Sequence, residues 1–285
     1  MPDPVQIDAH QHFWQISRGD YDWMSDEVAA IRHDILPPDL APLLARHDIA
    51  GTVVVQAAAT LAETEFLLGL AQDNRFIKGI VGWVDLDDIA APEALDHLSQ
   101  SPVFKGVRPM LQDISETDWI ARPRVLDNLA QLAKRGLRLD ALVTPRHLPI
   151  LAKVAQSCPD LPIVIDHCAK PVIAQGADAG SGWRDDMARL AQLPNVMCKI
   201  SGLPNEAGPG WSATGLRQVV DHVLEEFGPD RLMWGSDWPV LNLAGDYAGW
   251  RDTSKQLLGG LTHTERAQVF GGTAQRFYKL EVSKL

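Results

Sequence analysis

The sequence VQIDAHQHFW, at residues 5–14, is the stretch that decides the fold. It begins as a short apolar segment of strand length and ends in a turn, His10 to Trp14, that contains no glycine. An open, doubly wound sheet is expected to carry a glycine-rich phosphate-binding turn directly after its first strand. The stretch therefore argues against that fold and leaves a closed barrel as the alternative.

The rest of the chain repeats this alternation of an apolar segment of strand length and an amphipathic segment. The predicted strands are Val5–Ala9, Gly51–Ala57, Ile77–Asp85, Phe104–Leu111, Leu137–Val143, Pro162–His167, Asn195–Ser201 and Arg231–Ser236. The predicted helices are Leu40–His47, Glu63–Asp73, Pro92–Ser99, Arg124–Arg135, His147–Gln156, Trp183–Leu190, Leu216–Phe227 and Tyr247–Leu258. Eight such repeats predict a single-domain (β/α)8 TIM barrel over residues 1–285, with one or two closing helices in Thr262–Phe277.

The charge balance limits the partners of the protein. The chain has 37 Asp and Glu against 26 Lys and Arg, a formal charge of −11, which repels nucleic acid and anionic membrane surfaces. No apolar run approaches the roughly 18 residues that span a bilayer, and no signal peptide is evident, so we expect a cytoplasmic protein. The three cysteines fit neither a disulfide framework nor a zinc motif and are expected to be reduced thiols. A homo-oligomer remains possible.

In a barrel of this kind, side chains at the C-terminal ends of the strands face the active-site mouth. The eight predicted strand ends carry mostly polar or aromatic residues. In chain order, they are His10 and His12, Gln56, Trp83 and Asp85, Arg108, Asp140 or Thr144, Asp166 and His167, Lys199 and Ser201, and Ser236, Asp237 and Trp238. Such a concentration of ionisable and aromatic groups predicts an enzyme site.

Three histidines and one aspartate are the strongest candidates for chemistry. His10 and His12 are two residues apart, which places both imidazoles on one face of a strand, about 6–7 Å apart at Cα and within reach of one metal ion. Asp237 follows an apolar strand, where a buried carboxylate serves as a general base or a metal ligand, although it could instead cap the next helix. His167 is either a third ligand or an acid–base group.

A second set of residues is predicted to bind the substrate. Arg108 and Lys199 are cations that could polarise a carbonyl or bind hydroxyl groups, and structural salt bridges are the alternative. Tryptophans at the mouth could form the floor of a pocket for the apolar face of a sugar ring, and core packing is their alternative. The full predicted set is Arg108, Lys199, Gln56, Trp14, Trp83 and Trp238. Trp23 lies in a long first loop that could form part of a lid.

Several common catalytic motifs are absent from the sequence. There is no Gly-x-Ser-x-Gly elbow, no P-loop and no His-Glu-x-x-His, so serine hydrolase, phosphoryl-transfer and zincin chemistry lack their parts. Cys168 follows His167 directly, but neighbours on a strand point to opposite faces, so we do not expect a thiol nucleophile.

Five segments, in order along the chain, resemble the sugar-lactone hydrolase branch of the amidohydrolase superfamily, the L-fuconolactonase-like proteins. The His10-x-His12 pair and Asp237 are typical of the whole superfamily, whereas the combination of segments is typical of this branch. The segments are Ile7–Trp14, Gly106–Asp113, Ile165–Pro171, Cys198–Leu203 and Leu232–Pro239. Pro109 differs from a histidine that some lactonases of this branch carry after the strand-four arginine.

The resemblance implies hydrolysis of an aldono-1,4- or 1,5-lactone to the open acid. It implies that Asp237 activates water and that His10, His12 and His167 surround a divalent ion, with zinc as the first candidate, or the lactone carbonyl. Strand five offers no Lys or His to bridge two metals, which argues against a binuclear site. Related pyrone-dicarboxylate lactonases work without metal, so a metal-free site is the alternative.

Other functions on the same barrel remain open at this point. They are a metal-independent lactone isomerase, a pyrone-dicarboxylate or muconolactone-type lactonase, and an amidohydrolase-type decarboxylase. A catalytically silent sugar-acid binding protein is disfavoured, because it would lack Asp237 or one of the histidines, and all four are present.

Overall fold

Eight parallel strands pair in chain order in the computed structural model, which describes residues 5–281. The strands are β1 (Gln6–Gln11), β2 (Ile49–Val55), β3 (Ile77–Gly82), β4 (Phe104–Val107), β5 (Arg138–Ala141), β6 (Ile163–Ile165), β7 (Val196–Ile200) and β8 (Leu232–Trp234). A bridge between Gln11 and Trp238 joins the end of β1 to the chain beyond β8 and closes the ring. The predicted (β/α)8 barrel is confirmed, while the extent of the domain over residues 1–285 stays a proposal, because four residues at each end lie outside the described part.

Helices between the strands and after the last one cover the outside of the barrel and one of its ends. They are α1 (Pro37–Arg46), α2 (Leu61–Asp73), α3 (Ala91–Leu98), α4 (Pro123–Lys134), α5 (Leu148–Ser157), α6 (Ser181–Ala191), α7 (Leu203–Ala207), α8 (Ala213–Phe227), α9 (Tyr247–Leu257), α10 (His263–Ala267) and α11 (Thr273–Tyr278). The tail forms two helices, α10 and α11, separated by a π-helical turn, as expected. The short helix α7 was not predicted. In residues 5–281, no helix is both long enough and apolar enough to cross a membrane.

Two apolar clusters hold the barrel together. The larger one packs the helices against the outward faces of the strands. The smaller one joins inward-facing strand residues such as Val53, Val164 and Met233 to Phe277 and Tyr278 of α11. Helix α11 therefore closes the N-terminal end of the barrel, opposite the predicted active-site mouth.

The junction between β1 and β8 is held by backbone hydrogen bonds at the level of the predicted site. The Asp237 N–H donates to the His10 carbonyl at 2.8 Å, and the His12 N–H donates to the Trp238 carbonyl at 2.8 Å. The buried Asp8 carboxylate accepts the N–H groups of His10 (3.2 Å) and Ser236 (2.8 Å). These bonds fix the ends of both strands relative to each other.

Strand six is shorter than predicted. It ends at Ile165, and His167 to Lys170 follow as four consecutive residues with φ between 49° and 61°. A left-handed conformation costs an L-residue roughly 1–2 kcal/mol, and such strain is found mainly at functional sites. The turn, and not strand alternation, therefore sets the direction of the His167 side chain. The sequence argument that Cys168 points away from His167 because the two are neighbours on a strand is corrected, since both residues lie in this turn. Cys168 is buried, and its thiol donates to the Lys199 carbonyl at 3.4 Å.

The loop after β2 is fixed by a buried carboxylate. Glu63, in the first turn of α2, accepts the N–H groups of Ala57 (2.9 Å) and Ala58 (3.0 Å). Burial raises the pKa of Glu63 to about 7, even though these two hydrogen bonds favour its ionised form. The folded protein therefore holds a proton on Glu63 at pH values where the unfolded chain has lost it.

We predict that Glu63 makes stability depend on pH. Because its folded pKa is raised, its contribution is full below the unfolded pKa and is lost as the pH rises through about 7. Between about pH 5 and about pH 8, the unfolding free energy of the wild type should fall by up to about 3 kcal/mol relative to that of Glu63→Gln. Urea unfolding of both proteins at each pH measures this. A difference that stays constant or grows in favour of the wild type would contradict the raised pKa.

Candidate active site

Three imidazoles converge on one carboxylate oxygen at the mouth of the barrel. Oδ1 of Asp237 lies 3.3 Å from Nε2 of His12, 3.7 Å from Nε2 of His10 and 3.9 Å from Nε2 of His167. The His10 ring centroid is 4.9 Å from that of His12 and 4.5 Å from that of His167. The structure thus brings together all four residues predicted to carry the chemistry, from β1, the β6 turn and the end of β8.

Nδ1 is already engaged in both His12 and His167. Nδ1 of His12 lies 2.7 Å from the Val55 carbonyl, which can only accept, so this nitrogen carries the proton. Nε2 of a neutral His12 is then an acceptor that faces the Asp237 carboxylate, another acceptor, at 3.3 Å. Two acceptors at this distance are stable only with a proton or a cation between them. Nδ1 of His167 bonds to the Ser201 hydroxyl at 2.9 Å.

Two overlapping groups of buried residues at this site fit a divalent metal ion. Nε2 of His10 is buried and has no hydrogen-bond partner within the part of the chain that the structure describes. One nitrogen each from His10 and His12 and one oxygen from Asp237 lie within 4.8 Å of one another, as do atoms of His10, Asp166 and His167. Imidazole nitrogens with a carboxylate oxygen are a donor set that zinc accepts, and partners on the outer nitrogens orient such ligands.

Burial and neighbours set the protonation states of the site. Burial lowers the pKa of His167 to about 4 and that of His10 well below its ordinary value. Burial opposes ionisation of Asp237, but His167, His12 and His10 together hold its pKa below its ordinary value. Near neutral pH, the site therefore holds an ionised carboxylate beside neutral His10 and His167.

A layer of buried charge lies below the histidines. Nζ of Lys199 is 2.5 Å from Oδ2 of Asp140, 3.0 Å from Oδ1 of Asp166 and 3.1 Å from Nδ1 of His10. Lys199, Asp140 and Asp166 are fully buried. The prediction that Lys199 binds the substrate is corrected, because its ammonium group is occupied inside the barrel and faces the histidines from below.

A cavity of about 700 Å³ opens above this cluster. His12, His167 and Asp237 line its floor, together with the predicted substrate residues Arg108 and Trp14. The remaining wall residues include Trp23, Val28, Met110, Gln112, Leu142, Lys170, Asn205, Val240 and Leu243. The lining therefore combines apolar side chains with cations and amides, a mixture suited to a small polar ligand with an apolar face.

Three further predicted substrate residues do not line this cavity. Gln56 is fully buried. Its side-chain amide donates to the Arg108 backbone carbonyl at 2.7 Å, and its backbone carbonyl accepts from the Arg108 guanidinium, so Gln56 positions that arginine. Trp83 lines a neighbouring pocket of about 310 Å³, where Trp119 is on the wall. Trp238 is buried edge-on against Phe13, with 6.4 Å between ring centroids. Trp238 is therefore packed as its alternative expects, while a substrate role for the half-buried Trp83 stays a prediction.

Sequence reasoning missed the polar wall of the cavity. Nζ of Lys170 lies 3.0 Å from Oε1 of Gln112 and 3.2 Å from Oε1 of Glu206. Lys170 and Gln112 lie inside segments that carry the family resemblance, which is the signal that could have found them. Asn205 and Glu206 lie on the unpredicted helix α7, and nothing in their local sequence marks them. Trp23, expected in a possible lid, is on the cavity wall and donates from Nε1 to the Ala57 carbonyl at 2.8 Å.

A carboxylate and three imidazoles on the floor of a barrel cavity are the parts of a hydrolase that activates water. The model of the amidohydrolase family matches residues 7–280, and the chain belongs to this family. It is 45% identical over 280 residues to an L-fucono-1,5-lactonase of Burkholderia ambifaria, covering 97% of this chain and 96% of the relative. An L-fucono-1,5-lactonase of Burkholderia multivorans is 35% identical, with 97% and 96% covered. An amidohydrolase of Burkholderia multivorans, solved with bound zinc, superposes with a TM-score of 0.92 at 35% identity, covering 97% of this chain and all of that one.

Gly202 tests how closely the His167 ring must be held. A Cβ at Gly202 would lie 2.5 Å from Nδ1 of His167, and the residue has φ of 66°. We predict that Gly202→Ala lowers kcat/KM about 100-fold, because a misplacement of about 1 Å in a catalytic group has an effect of that size. Gly19→Ala is the matched control, since Gly19 is in the same left-handed region with φ of 76°, does not line the cavity, and its Cβ would meet nothing within 4 Å. Equal activity losses in both variants would show that backbone strain, not displacement of His167, is the cause.

Proposed function

We propose that this chain hydrolyses a sugar lactone of the L-fucono-1,5-lactone type to its open aldonic acid. The observation that carries the proposal is the convergence of three imidazole Nε2 atoms on the Asp237 carboxylate at the floor of the cavity. The relative that is 45% identical over nearly the whole chain carries the name of this activity. The expected class, a hydrolase acting on a carboxylic ester, is supported by both lactonase relatives.

Asp237 is the base in this proposal. Its ionised carboxylate takes a proton from water as the water oxygen forms a bond to the lactone carbonyl carbon. A lactone is a moderately activated ester, so a base and an electrophile suffice and no covalent nucleophile is needed. The Arg108 guanidinium, 3.7 Å from Oδ2 of Asp166 and on the cavity wall, supplies positive charge for the carbonyl oxygen as it becomes negative.

Collapse of the tetrahedral intermediate breaks the ring C–O bond and leaves an alkoxide that needs a proton. His167 is placed to pass on the proton taken by Asp237, because Nε2 is 3.9 Å from Oδ1 of that carboxylate and the ring faces the cavity. Its low pKa makes it neutral at rest, so it would carry the proton only transiently. The hydrogen bond to Ser201 holds the ring in this orientation.

We propose one zinc ion as the cofactor, held by His10, His12 and Asp237, so that Nε2 of His167 serves as the acid–base group and not as a ligand. Such an ion supplies Lewis-acid polarisation of the lactone carbonyl when it is bound. The donor set supports it, as does the zinc bound in the amidohydrolase of Burkholderia multivorans. A proton between His12 and Asp237 is the alternative, since it would equally separate the two acceptors.

The walls of the cavity support a sugar lactone as the substrate. Trp23, on the cavity wall, offers an aromatic surface for one face of a sugar ring, and the buried Trp14 supports it edge-on with 5.7 Å between centroids. Val28 and Leu243 offer an apolar surface for a methyl group. Gln112 and Lys170 provide hydrogen-bonding groups for hydroxyls. A cytoplasmic location, the absence of a nucleic-acid partner and a possible homo-oligomer stay predictions.

The substrate prediction is tested with purified protein and a panel of aldono-1,4- and 1,5-lactones. Proton release in a weakly buffered indicator should show rapid acidification with L-fuconolactone and a few stereochemical relatives. A parallel sample treated with a chelator should lose activity, and activity should return on adding zinc. If no lactone of the panel causes acidification, the favoured functions become hydrolysis of an aromatic dicarboxylate lactone, lactone isomerisation or decarboxylation. Full activity of a sample shown to be metal-free would overturn the zinc proposal alone.

The role of Asp237 is tested by Asp237→Asn, which keeps the volume and removes the base. We predict a loss of kcat by at least about 100-fold, the lower range for a general base, with the melting temperature nearly unchanged. Asp221→Asn, on the exposed face of α8, is the chemical control and should retain full activity. If Asp237→Asn keeps most of its kcat while remaining folded, Asp237 is not the base.

A further inference from the structure

A column of buried polar groups runs from α11 to the active site. The Tyr278 hydroxyl, at the end of α11, donates to Oδ2 of Asp140 at 2.7 Å. The same oxygen accepts a hydrogen bond from Nζ of Lys199 at 2.5 Å, and this Nζ lies 3.1 Å from Nδ1 of His10. The side chains of all four residues are fully buried. The helix that closes one end of the barrel therefore reaches, through two side chains, the ammonium group beside a predicted metal ligand at the other end.

Asp140 depends on Tyr278 for its orientation. Both hydrogen bonds of its carboxylate fall on Oδ2, and Oδ1 has no partner among residues 5–281. Without the Tyr278 hydroxyl, only Lys199 would restrain the carboxylate. The Tyr278 ring also lies below Lys199, with 5.6 Å between its centroid and Nζ. The tyrosine thus restrains both partners of this ion pair.

Lys199 is the group through which this restraint would reach the reacting atoms. Its Nζ is shared by Asp140, Asp166 and Nδ1 of His10, so a small shift of Asp140 changes where the ammonium group points. Nδ1 of His10 also lies 3.3 Å from Oδ1 of Asp166. Partners on the outer nitrogen of such an imidazole fix the orientation of the ring, and their removal commonly reduces activity or metal affinity 10–100-fold.

We propose that Tyr278 and Asp140 are positioning residues, which hold Lys199 so that the His10 ring keeps Nε2 directed at Asp237. The effect on turnover rests on the proposed function, whereas the orientation of the ring does not. Neither residue touches the cavity in this arrangement. The C-terminal helix is then a working part of the active site as well as the closure of the barrel.

The kinetic test is Tyr278→Phe, which removes one oxygen and keeps the ring packed in the barrel. We expect kcat to fall about tenfold with KM nearly unchanged, because no wall of the cavity changes. Thr273→Val is the matched control, because it removes a buried hydroxyl of the same helix that donates to the Pro229 and Asp230 carbonyls. It should destabilise the docked helix without changing kcat. Equal losses of kcat in both variants would show that weaker docking of α11 causes the effect, and would overturn the proposal.

A double-mutant cycle tests whether Tyr278 acts through Asp140. Asp140→Asn should lower kcat more than Tyr278→Phe does, since it also removes the charge that holds Lys199. The double variant should then be no slower than Asp140→Asn alone, because the two residues belong to one chain of contacts. Multiplicative losses would show that Tyr278 acts by another route.

A readout that needs no activity separates this proposal from the proposed function. Imidazole ¹⁵N resonances of the protein, with the His10 signals assigned by their loss in His10→Asn, should shift in Tyr278→Phe and not in Thr273→Val. The signals of His222, which bonds to the Arg184 carbonyl on the outside of the barrel, serve as an internal reference. Unchanged His10 signals in Tyr278→Phe overturn the positioning role. If the wild type is inactive on lactones but the His10 signals still shift in Tyr278→Phe, only the proposed function is overturned.

Discussion

The structure depends on one crowded contact, in which the Asp237 carboxylate faces Nε2 atoms of three histidines from two other places in the barrel. Nε2 of a neutral His12 is an acceptor like the carboxylate oxygen, because Nδ1 carries the proton, so this part of the contact is stable only when a proton or cation lies between them. The surrounding features serve to maintain it. Backbone hydrogen bonds join the ends of β1 and β8, the left-handed turn aims His167, and Val55 and Ser201 hold the outer nitrogens.

The sequence was sufficient for the fold and for the centre of the site. Strand-and-helix alternation predicted all eight repeats, and the two-residue spacing of His10 and His12 predicted their shared face, because side-chain direction along a strand has a fixed period. His167 was found although its strand ends at Ile165, because it belongs to a segment that marks the family. Its orientation comes from a left-handed turn of non-glycine residues, a conformation that local sequence does not announce.

The ligand-facing residues were harder to predict, for a physical reason. Lys199 and Gln56 follow strands as a substrate residue would, but Lys199 is occupied by two carboxylates below the histidines and Gln56 by the Arg108 backbone. Their partners lie on other strands, so no local pattern shows that they are already engaged. Glu206 lies on a helix whose existence the sequence did not indicate. Composition and spacing therefore find the reacting groups more readily than the walls around them.

The most direct test of the central claim, that Asp237 delivers water to the lactone carbonyl, is a single turnover in H₂¹⁸O with enzyme in excess over L-fuconolactone. Mass spectrometry should find one ¹⁸O atom in the carboxylate of the product acid and no change in the mass of the protein. An unlabelled product together with ¹⁸O in the peptide that contains Asp237 would show that this carboxylate attacks the lactone itself, and would contradict its role as a base.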